Sequence, residues 1–302
     1  MEGETLYLNG EFMPLREGRV DVEDRGFQLG DGVYEVIRIM NGQLVWLAEH
    51  LGRLGRSLAT IRLSEALQGH RLEDLLPELV DRSTVREGML YVQVTRGAAP
   101  REFVFPRPPH PTVLAFARGC PFPDDAELMA GTVLHPVEDV RWARCDIKST
   151  NLLAAVLAKE EAQEVGAHEA LFIGPGGVVR EGGSSNVFAV LDGVLRTHPA
   201  DNRVLAGITR RHVLQIARDL GQACEERAFT VGELTGAGES GCEVFTSSTM
   251  KGIRPVVRIG AHAVGDGRPG RVTLAILDLI RREQARLVGH QPPPALASPA
   301  PQ

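Results

Sequence analysis

Lysine is nearly missing from this chain. Among 33 basic residues in 302, only Lys148, Lys159 and Lys251 carry an amine, and the remaining 30 are arginine. Chemistry that needs a lysine amine therefore has three candidates. Cysteine is scarce too. Cys120, Cys145, Cys224 and Cys242 stand far apart, with no C-x-x-C pair and no histidine at metal-ligand spacing, which excludes a zinc cluster and a disulfide framework. Reduced, mostly buried thiols are expected. No run of 18 apolar residues occurs, so no segment reads as a membrane-spanning helix. The first residues, MEGETLYLNGEF, lack a basic stretch followed by an apolar one, the pattern of an export signal, and a cytoplasmic location is expected. Positive charge is not in excess: the formal net charge is −6. The basic footprint of a nucleic-acid binder is missing, and a small-molecule partner is expected.

What is present suffices for two cores. The 302 residues are 43% hydrophobic, and the length is about twice that of a typical single domain. Leu6, Tyr7 and Leu8 lead into Asn9-Gly10 and then Glu11 and Phe12, a hairpin signature. Over residues 46–63, Leu47, Leu51, Leu54, Leu58 and Ile61 mark one helical face, with Arg53 and Arg56 off it. A second helix is predicted over 72–80 and strands over 33–40, 89–95 and 112–117. The first domain is thus α+β over 1–119. Turn formers and two prolines make 120–125 the linker. The second domain, 126–288, opens with strands predicted at 132–137 and 142–147 and a helix at 151–165. Hairpins are predicted about Gly174-Pro175-Gly176-Gly177 and Asp192-Gly193, and helices at 209–220 and 272–287. Residues 289–302 read as a disordered tail, and no repeat period is visible.

Several segments carry side chains suited to chemistry. Lys148 ends the predicted strand 142–147 and precedes Ser149, Thr150 and Asn151, which are good helix N-cap residues. An amine at such a junction, half-buried and near a helix N-terminus, is favoured in its neutral, nucleophilic form. Lys159 lies mid-helix among charges, as a solvated-face residue does. Lys251 follows a hydroxyl-rich turn. Glu181 sits where glycines and small hydroxyls interrupt strand alternation, so it can pair with a protonated ring nitrogen or serve as a turn glutamate. Gly207-Ile208-Thr209-Arg210 runs from glycine into a helix start and offers free N–H groups to an anion. Thr246-Ser247-Ser248-Thr249 presents four hydroxyls after a strand. Residues 24–35 read as a glycine-punctuated charged loop, and Arg101 lies in a loop after the strand 89–95, where its fork could match a carboxylate.

Together these segments resemble the fold-type IV pyridoxal-phosphate transaminases, most closely those acting on D-amino acids. The resemblance runs over residues 4–285. It rests on Glu23-Asp24-Arg25-Gly26 with Gly30-Asp31-Gly32-Val33-Tyr34-Glu35, on Arg141-Trp142 with Arg144-Cys145-Asp146-Ile147-Lys148-Ser149, on Glu181 with Ser184-Ser185-Asn186-Val187-Phe188, and on Gly207-Ile208-Thr209-Arg210. It implies a smaller N-terminal α+β domain and a larger, β-barrel-like C-terminal domain with helices. Pyridoxal 5′-phosphate is the implied cofactor. Lys148 would hold it as an internal aldimine and shuttle the substrate proton, and Glu181 would keep the pyridine nitrogen protonated. Arg53, Gly207, Ile208, Thr209, Ser248 and Thr249 would surround the phosphate, with Leu205 under the ring.

For the substrate carboxylate the family uses a tyrosine, an arginine and a histidine, the last two from the partner subunit of a homodimer. Tyr34 and Arg101 match, whereas Phe103 stands at the histidine position and Gly183 replaces a common serine. The implied reaction moves an amino group from a D-amino acid, such as D-alanine or D-glutamate, to a 2-oxo acid in ping-pong half-reactions. The alternatives of the same fold are a branched-chain L-amino acid transaminase, an (R)-amine transaminase or an aminodeoxychorismate lyase. A non-catalytic cofactor carrier is the alternative of another class.

Overall fold

The structure is a computed structural model and describes residues 4–235, 241–291, 293 and 294. The chain divides into two compact units. The first comprises Met1–Phe122 with Ile147–Asn151, and the second Pro123–Asp146 with Leu152–Gln302. The segment bearing Lys148 thus packs with the first unit, although its chain position lies within 126–288.

The first unit contains β1 (Thr5–Leu8), β2 (Glu11–Pro14), α1 (Arg25–Leu29), β3 (Gly32–Met40), β4 (Gln43–Leu44), α2 (Leu47–Thr60), α3 (Leu72–Ser83), β5 (Gly88–Thr95) and β6 (Thr112–Gly119). The strands form one antiparallel sheet in the order β2-β1-β6-β5-β3-β4. Alternation selects its core face. Val33, Ile37 and Ile39 of β3, Leu90, Val92 and Val94 of β5, and Val113, Ala115 and Ala117 of β6 are buried against Leu54 and Leu58 of α2 and Leu76 and Leu79 of α3. Burying this much apolar surface, at about 25 cal/mol per Å², is what fixes the helices on the sheet. Asn9 and Gly10 both have positive φ, as a two-residue hairpin turn requires. The expected loop over 24–35 contains a helical turn, α1, started by the Asp24 carboxylate accepting from the Gly26 N–H at 2.8 Å.

The second unit contains α4 (Asp125–Ala130), β7 (Thr132–Glu138), α5 (Leu153–Glu164), β8 (Glu169–Gly174), β9 (Val178–Gly182), β10 (Asn186–Leu191), β11 (Val194–Thr197), α6 (Ile208–Asp219), β12 (Cys224–Glu225), α7 (Val231–Thr235), β13 (Glu243–Ser248), β14 (Gly252–Ile259), β15 (His262–Ala263) and α8 (Arg271–Leu287). Its curled, half-barrel sheet runs β12-β11-β10-β13-β14-β7-β8-β9, with β15 paired to β14. β7 is parallel to both β8 and β14, and β11 to β12. One face buries Leu134, Leu171, Val179, Val187, Ala189, Val244 and Val256. β10 is buried throughout, and on the other face Phe188 stacks on Phe245 with centroids 4.9 Å apart. α6 and α8 pack on β13.

Three expectations are corrected. No strand forms over 142–147: the Cys145 N–H goes to the Asn202 carbonyl at 2.9 Å, and the Arg144 guanidinium closes on Asp146 at 3.0 Å rather than a neighbouring strand being joined. Ser149, Thr150 and Asn151 do not cap a helix, since α5 starts at Leu153 and its N-cap, Leu152, has no side-chain bond. The four cysteines are free thiols, as expected, but each is half-buried rather than buried. Of the expected tail, residues 292 and 295–302 lie outside the described residues, while Gly289 and His290 bond back to carbonyls of the last turn of α8. Among the described residues no helix is long and apolar enough to cross a membrane.

Candidate active site

In the first unit the segment Ile147–Asn151 is stapled to the start of β3. The Tyr34 N–H donates to the Lys148 carbonyl and the Thr150 N–H to the Gly32 carbonyl, both at 3.0 Å, and Ser149 bridges Val33. The side chains predicted as caps do other work. Thr150 Oγ1 and Asn151 Nδ2 donate to the Gly30 carbonyl at 3.1 and 3.0 Å. Gly30 is obligatory on two counts: its φ is +67°, and a Cβ there would meet Asn151 Oδ1 at 2.3 Å. Lys148 Nζ is thereby set 3.5 Å from the Tyr34 hydroxyl and 4.4 Å from the ring centroid. The Tyr34 ring is fixed in turn by stacking on Tyr91, and Tyr91 on Phe116, with centroids 5.6 and 5.3 Å apart. Burial, with Tyr34 beside it, pushes the Tyr91 hydroxyl up to about 12, so that ring stays neutral and donates to Gln93 at 2.6 Å.

Glu35 follows Tyr34 and therefore points to the core face of β3, where it is fully buried. Two residues of α2 satisfy it. Arg53 donates from Nε and Nη2 at 2.6 and 2.7 Å, and His50 from Nδ1 at 2.8 Å. Burial alone would raise the Glu35 carboxyl; the Arg53 and His50 bonds outweigh it and hold the group at about 2. Burial holds His50 down, so its ring is neutral, and its Nε2 is buried with no partner. Arg53, off the leucine stripe of α2, is thus buried as the partner of Glu35. Glu35 and His50 escape sequence reasoning, because a glutamate at an apolar strand position announces itself only once the cations beneath it are known.

Asp31 is bridged by Arg25 at 2.9 Å and Arg96 at 2.8 Å, and Arg25 also donates to the Glu102 carbonyl. These bonds hold the base of the loop that carries Arg101. Arg101 itself is exposed and forms no hydrogen bond or ion pair among the described residues. Phe103 is 85% exposed.

In the second unit Glu181, near the end of β9, is almost fully buried. Its Oε1 accepts from Arg141 Nη1 at 2.5 Å, and Oε2 accepts from Asn186 Nδ2 at 3.2 Å and the Leu205 N–H at 3.0 Å. Arg141 is shared: it grips Asp139 from Nε and Nη2 at 2.9 and 3.0 Å and lies 4.1 Å from the Phe172 ring centroid. Burial raises the Glu181 carboxyl against the pull of Arg141 and the Leu205 N–H. Every partner it has is a donor, the set that suits a carboxylate. A carboxylate offers about four acceptor positions, and three are filled, so one remains for a further donor such as a protonated ring nitrogen. Arg141 and Asn186 lay in the motifs but drew no role there, because the carboxylate they serve is 40 and 5 residues away.

Asn186 also donates to the Leu205 carbonyl at 2.8 Å, which ties Glu181 to the turn before α6. Gly207 is the N-cap of α6 with no side-chain cap, and a Cβ on it would meet Asn186 Oδ1 at 2.1 Å. The first-turn N–H groups of α6 therefore have no capping side chain. Beside them Thr209 Oγ1 is buried without a partner, as is Ser247 Oγ on β13. Ser248 Oγ accepts the Lys251 N–H at 3.2 Å, and Thr249 is half-buried in the following turn. An uncapped helix start and orphaned hydroxyls are the donors a phosphate requires. With the one open position of Glu181, they fit pyridoxal 5′-phosphate at its two polar ends.

Comparison with known proteins agrees. Residues 32–259 match the model of the amino-transferase class IV family. The chain is 44% identical over 269 residues to a D-alanine aminotransferase of Staphylococcus haemolyticus, covering 89% of this chain and 93% of that protein. It is 43% identical over 287 residues to the Bacillus licheniformis protein of the same name, covering 94% and 99%. Among solved structures, the branched-chain aminotransferase of the archaeon Thermoproteus uzoniensis with norvaline superposes with a TM-score of 0.80 at 28% identity, over 95% of this chain and 96% of that one. Another branched-chain amino acid aminotransferase, from T.th. and bearing pyridoxamine 5′-phosphate, gives 0.85 at 26%, over 97% and 96%. This chain belongs to the class IV aminotransferases, enzymes whose cofactor is pyridoxal 5′-phosphate.

Proposed function

We propose that this enzyme moves the amino group of a D-amino acid, such as D-alanine or D-glutamate, to a 2-oxo acid in two half-reactions. One observation carries the reading: identity to D-alanine aminotransferases is 42–44%, whereas identity to the superposed branched-chain enzymes is 24–28%. Lys148 is the proposed catalytic residue. Its Nζ, beside the Tyr34 hydroxyl, would take the substrate's α proton and hold it for return within the half-reaction. The bound cofactor supplies the electron sink for the pair left behind. Glu181, held by Arg141 and Asn186, keeps a negative charge for the ring nitrogen. Arg53, the N–H groups of Ile208 and Thr209, and the hydroxyls of Thr209, Ser248 and Thr249 bind the phosphate. Gly207 keeps their approach open, and Leu205 packs under the ring. Tyr34 and Arg101 hold the substrate carboxylate, and Phe103 makes the third position apolar.

We further propose a homodimer. Support comes from apolar side chains left in water: Leu153, Val156 and Leu157 on α5 are 72%, 58% and 62% exposed, and in the first unit Phe103 and Val104 are 85% and 73% exposed. The proposed location is the cytoplasm, which suits four free thiols.

The test is the visible spectrum of the cofactor-loaded protein, with D-alanine and L-leucine added in separate cuvettes. Bleaching by D-alanine alone is expected, and Lys148→Ala is expected to lose it. Bleaching by L-leucine alone would move the reading to the branched-chain enzymes, whose fold the chain shares. Light scattering should report a dimer; a monomer that still turned over substrate would sink that part.

A further inference from the structure

Five arginines are less than a tenth exposed: Arg25, Arg53, Arg96, Arg210 and Arg254. Four have anionic partners. Arg25 and Arg96 pair with Asp31, Arg53 with Glu35, and Arg210 with Glu226. Arg254 is the exception. It is 8% exposed, its Nε is buried with no partner, and its guanidinium makes no hydrogen bond or ion pair among the described residues. A buried unpaired cation is costly and calls for an anion, which the described residues do not supply.

The acids within electrostatic reach are Asp124 and Glu127, and both are engaged elsewhere. They form the capping box of α4, where the Glu127 N–H donates to Asp124 Oδ1 at 2.8 Å and the Asp124 N–H to Glu127 Oε2 at 3.0 Å. Of the nearby cations, Lys251 precedes β14 and Arg258 lies near its far end. The irregularity between Val256 and Arg258 pairs Arg258 with Val133 and sets Ile259, beside Leu134, on the core face, so Arg258 lies on the face opposite Arg254.

Register also places Arg254 apart from the proposed cofactor site. On the β13–β14 hairpin Arg254 stands opposite Thr246, and two residues on Val244 stands opposite Val256, so Arg254 shares its face with the core of Val187, Val244 and Val256. Ser247 pairs with Ile253 and with Asn186, which holds Glu181, and these lie on the other face. The two faces share one turn, which carries Thr249 and Lys251. We infer that Arg254 binds a small anion on the sheet face opposite the proposed cofactor site. A guanidinium fork takes a phosphate or a carboxylate bidentately. The ligand class is therefore a phosphate or a carboxylate.

The experiment measures the Tm of the cofactor-loaded enzyme in inorganic phosphate, in glutarate and in chloride at matched ionic strength, with the visible band followed to show that the cofactor stays bound. Phosphate or glutarate at about ten times its dissociation constant should raise Tm by about 2 °C or more over chloride. A rise with phosphate alone assigns a phosphate ligand, and a rise with glutarate alone a carboxylate. Arg254→Met keeps the apolar stem and drops the charge. It should abolish the rise, and in chloride its Tm should equal or exceed that of the native enzyme, because an unpaired buried cation has been removed. Arg258→Gln, on the opposite face, should leave the rise unchanged. No rise beyond chloride, or equal rises in the native enzyme and Arg254→Met, would overturn the inference. So would a lower Tm for Arg254→Met in chloride, since that would show the guanidinium is already satisfied from within.

Discussion

Both units bury an arginine–glutamate pair, and the two glutamates are driven in opposite directions. Glu35 takes two bonds from Arg53 and a third from His50, and its carboxyl sits at about 2. Glu181 shares Arg141 with Asp139, which takes two of that guanidinium's bonds, and burial raises it. The contact distances are alike, at 2.6 and 2.5 Å. Proximity of a cation therefore does not set the outcome. The number of bonds the guanidinium gives each carboxylate does, two to Glu35 and one to Glu181, together with desolvation. Glu35 is spent on holding α2 to β3, whereas Glu181 keeps an acceptor position open.

The same substitution in the two places should separate these roles. In the cofactor-free protein, Glu35→Gln leaves Arg53 buried without its carboxylate and should cost about 3–5 kcal/mol of stability, read by urea unfolding. Its acid limb should change too. Because the native carboxyl is depressed from 4.5 to about 2, Glu35 adds up to about 3 kcal/mol above pH 4.5, lost as pH falls towards 2; the variant should lack that loss. Glu181→Gln leaves Arg141 still paired with Asp139, so its stability should move by less than about 1 kcal/mol, while kcat falls about 100-fold or more, as for removal of one preorganised charge. If Glu181→Gln unfolds the protein and Glu35→Gln does not, the contrast fails. The smallest effect is expected from Asp139→Asn, which returns Arg141 wholly to Glu181 and makes the second pair resemble the first. The Glu181 carboxyl should titrate lower, and the acid limb of kcat/KM should shift to lower pH; an unmoved limb would show that Asp139 does not divide the cation.

Much of this was legible in the sequence where the signal is local. Asn9-Gly10 and Asp192-Gly193 turn as read, with positive φ at all four residues, and the leucines of α2 and the alternation of β5 and β6 find their cores. The family was legible because four motifs occur in order. What stayed hidden depends on partners distant in sequence. The stretch 142–147 looks extended but has no strand to join, so an irregular path bonded to Asn202 wins. The polar run after Lys148 looks like a cap, yet its side chains serve the Gly30 carbonyl, 120 and 121 residues away. Arg53 is off the apolar face read for α2, yet it is buried, as is Arg254. A charge inside is visible only with its counter-charge or, for Arg254, with the lack of one.

The five residues Ile147–Asn151 have a consequence for how the enzyme is made. The chain passes from one unit to the other at 122/123, at 146/147 and again at 151/152, so no single cut separates the units with their parts intact. A ribosome that has released the first 122 residues has delivered a sheet whose β3 still awaits its contact with Ser149, and the amine arrives only after part of the other unit has been synthesised. A gene fragment encoding either unit alone as one continuous stretch would lose the lysine's setting. Recombination at the apparent domain boundary would therefore exchange scaffolds but could not bring the Lys148 amine along within its own unit.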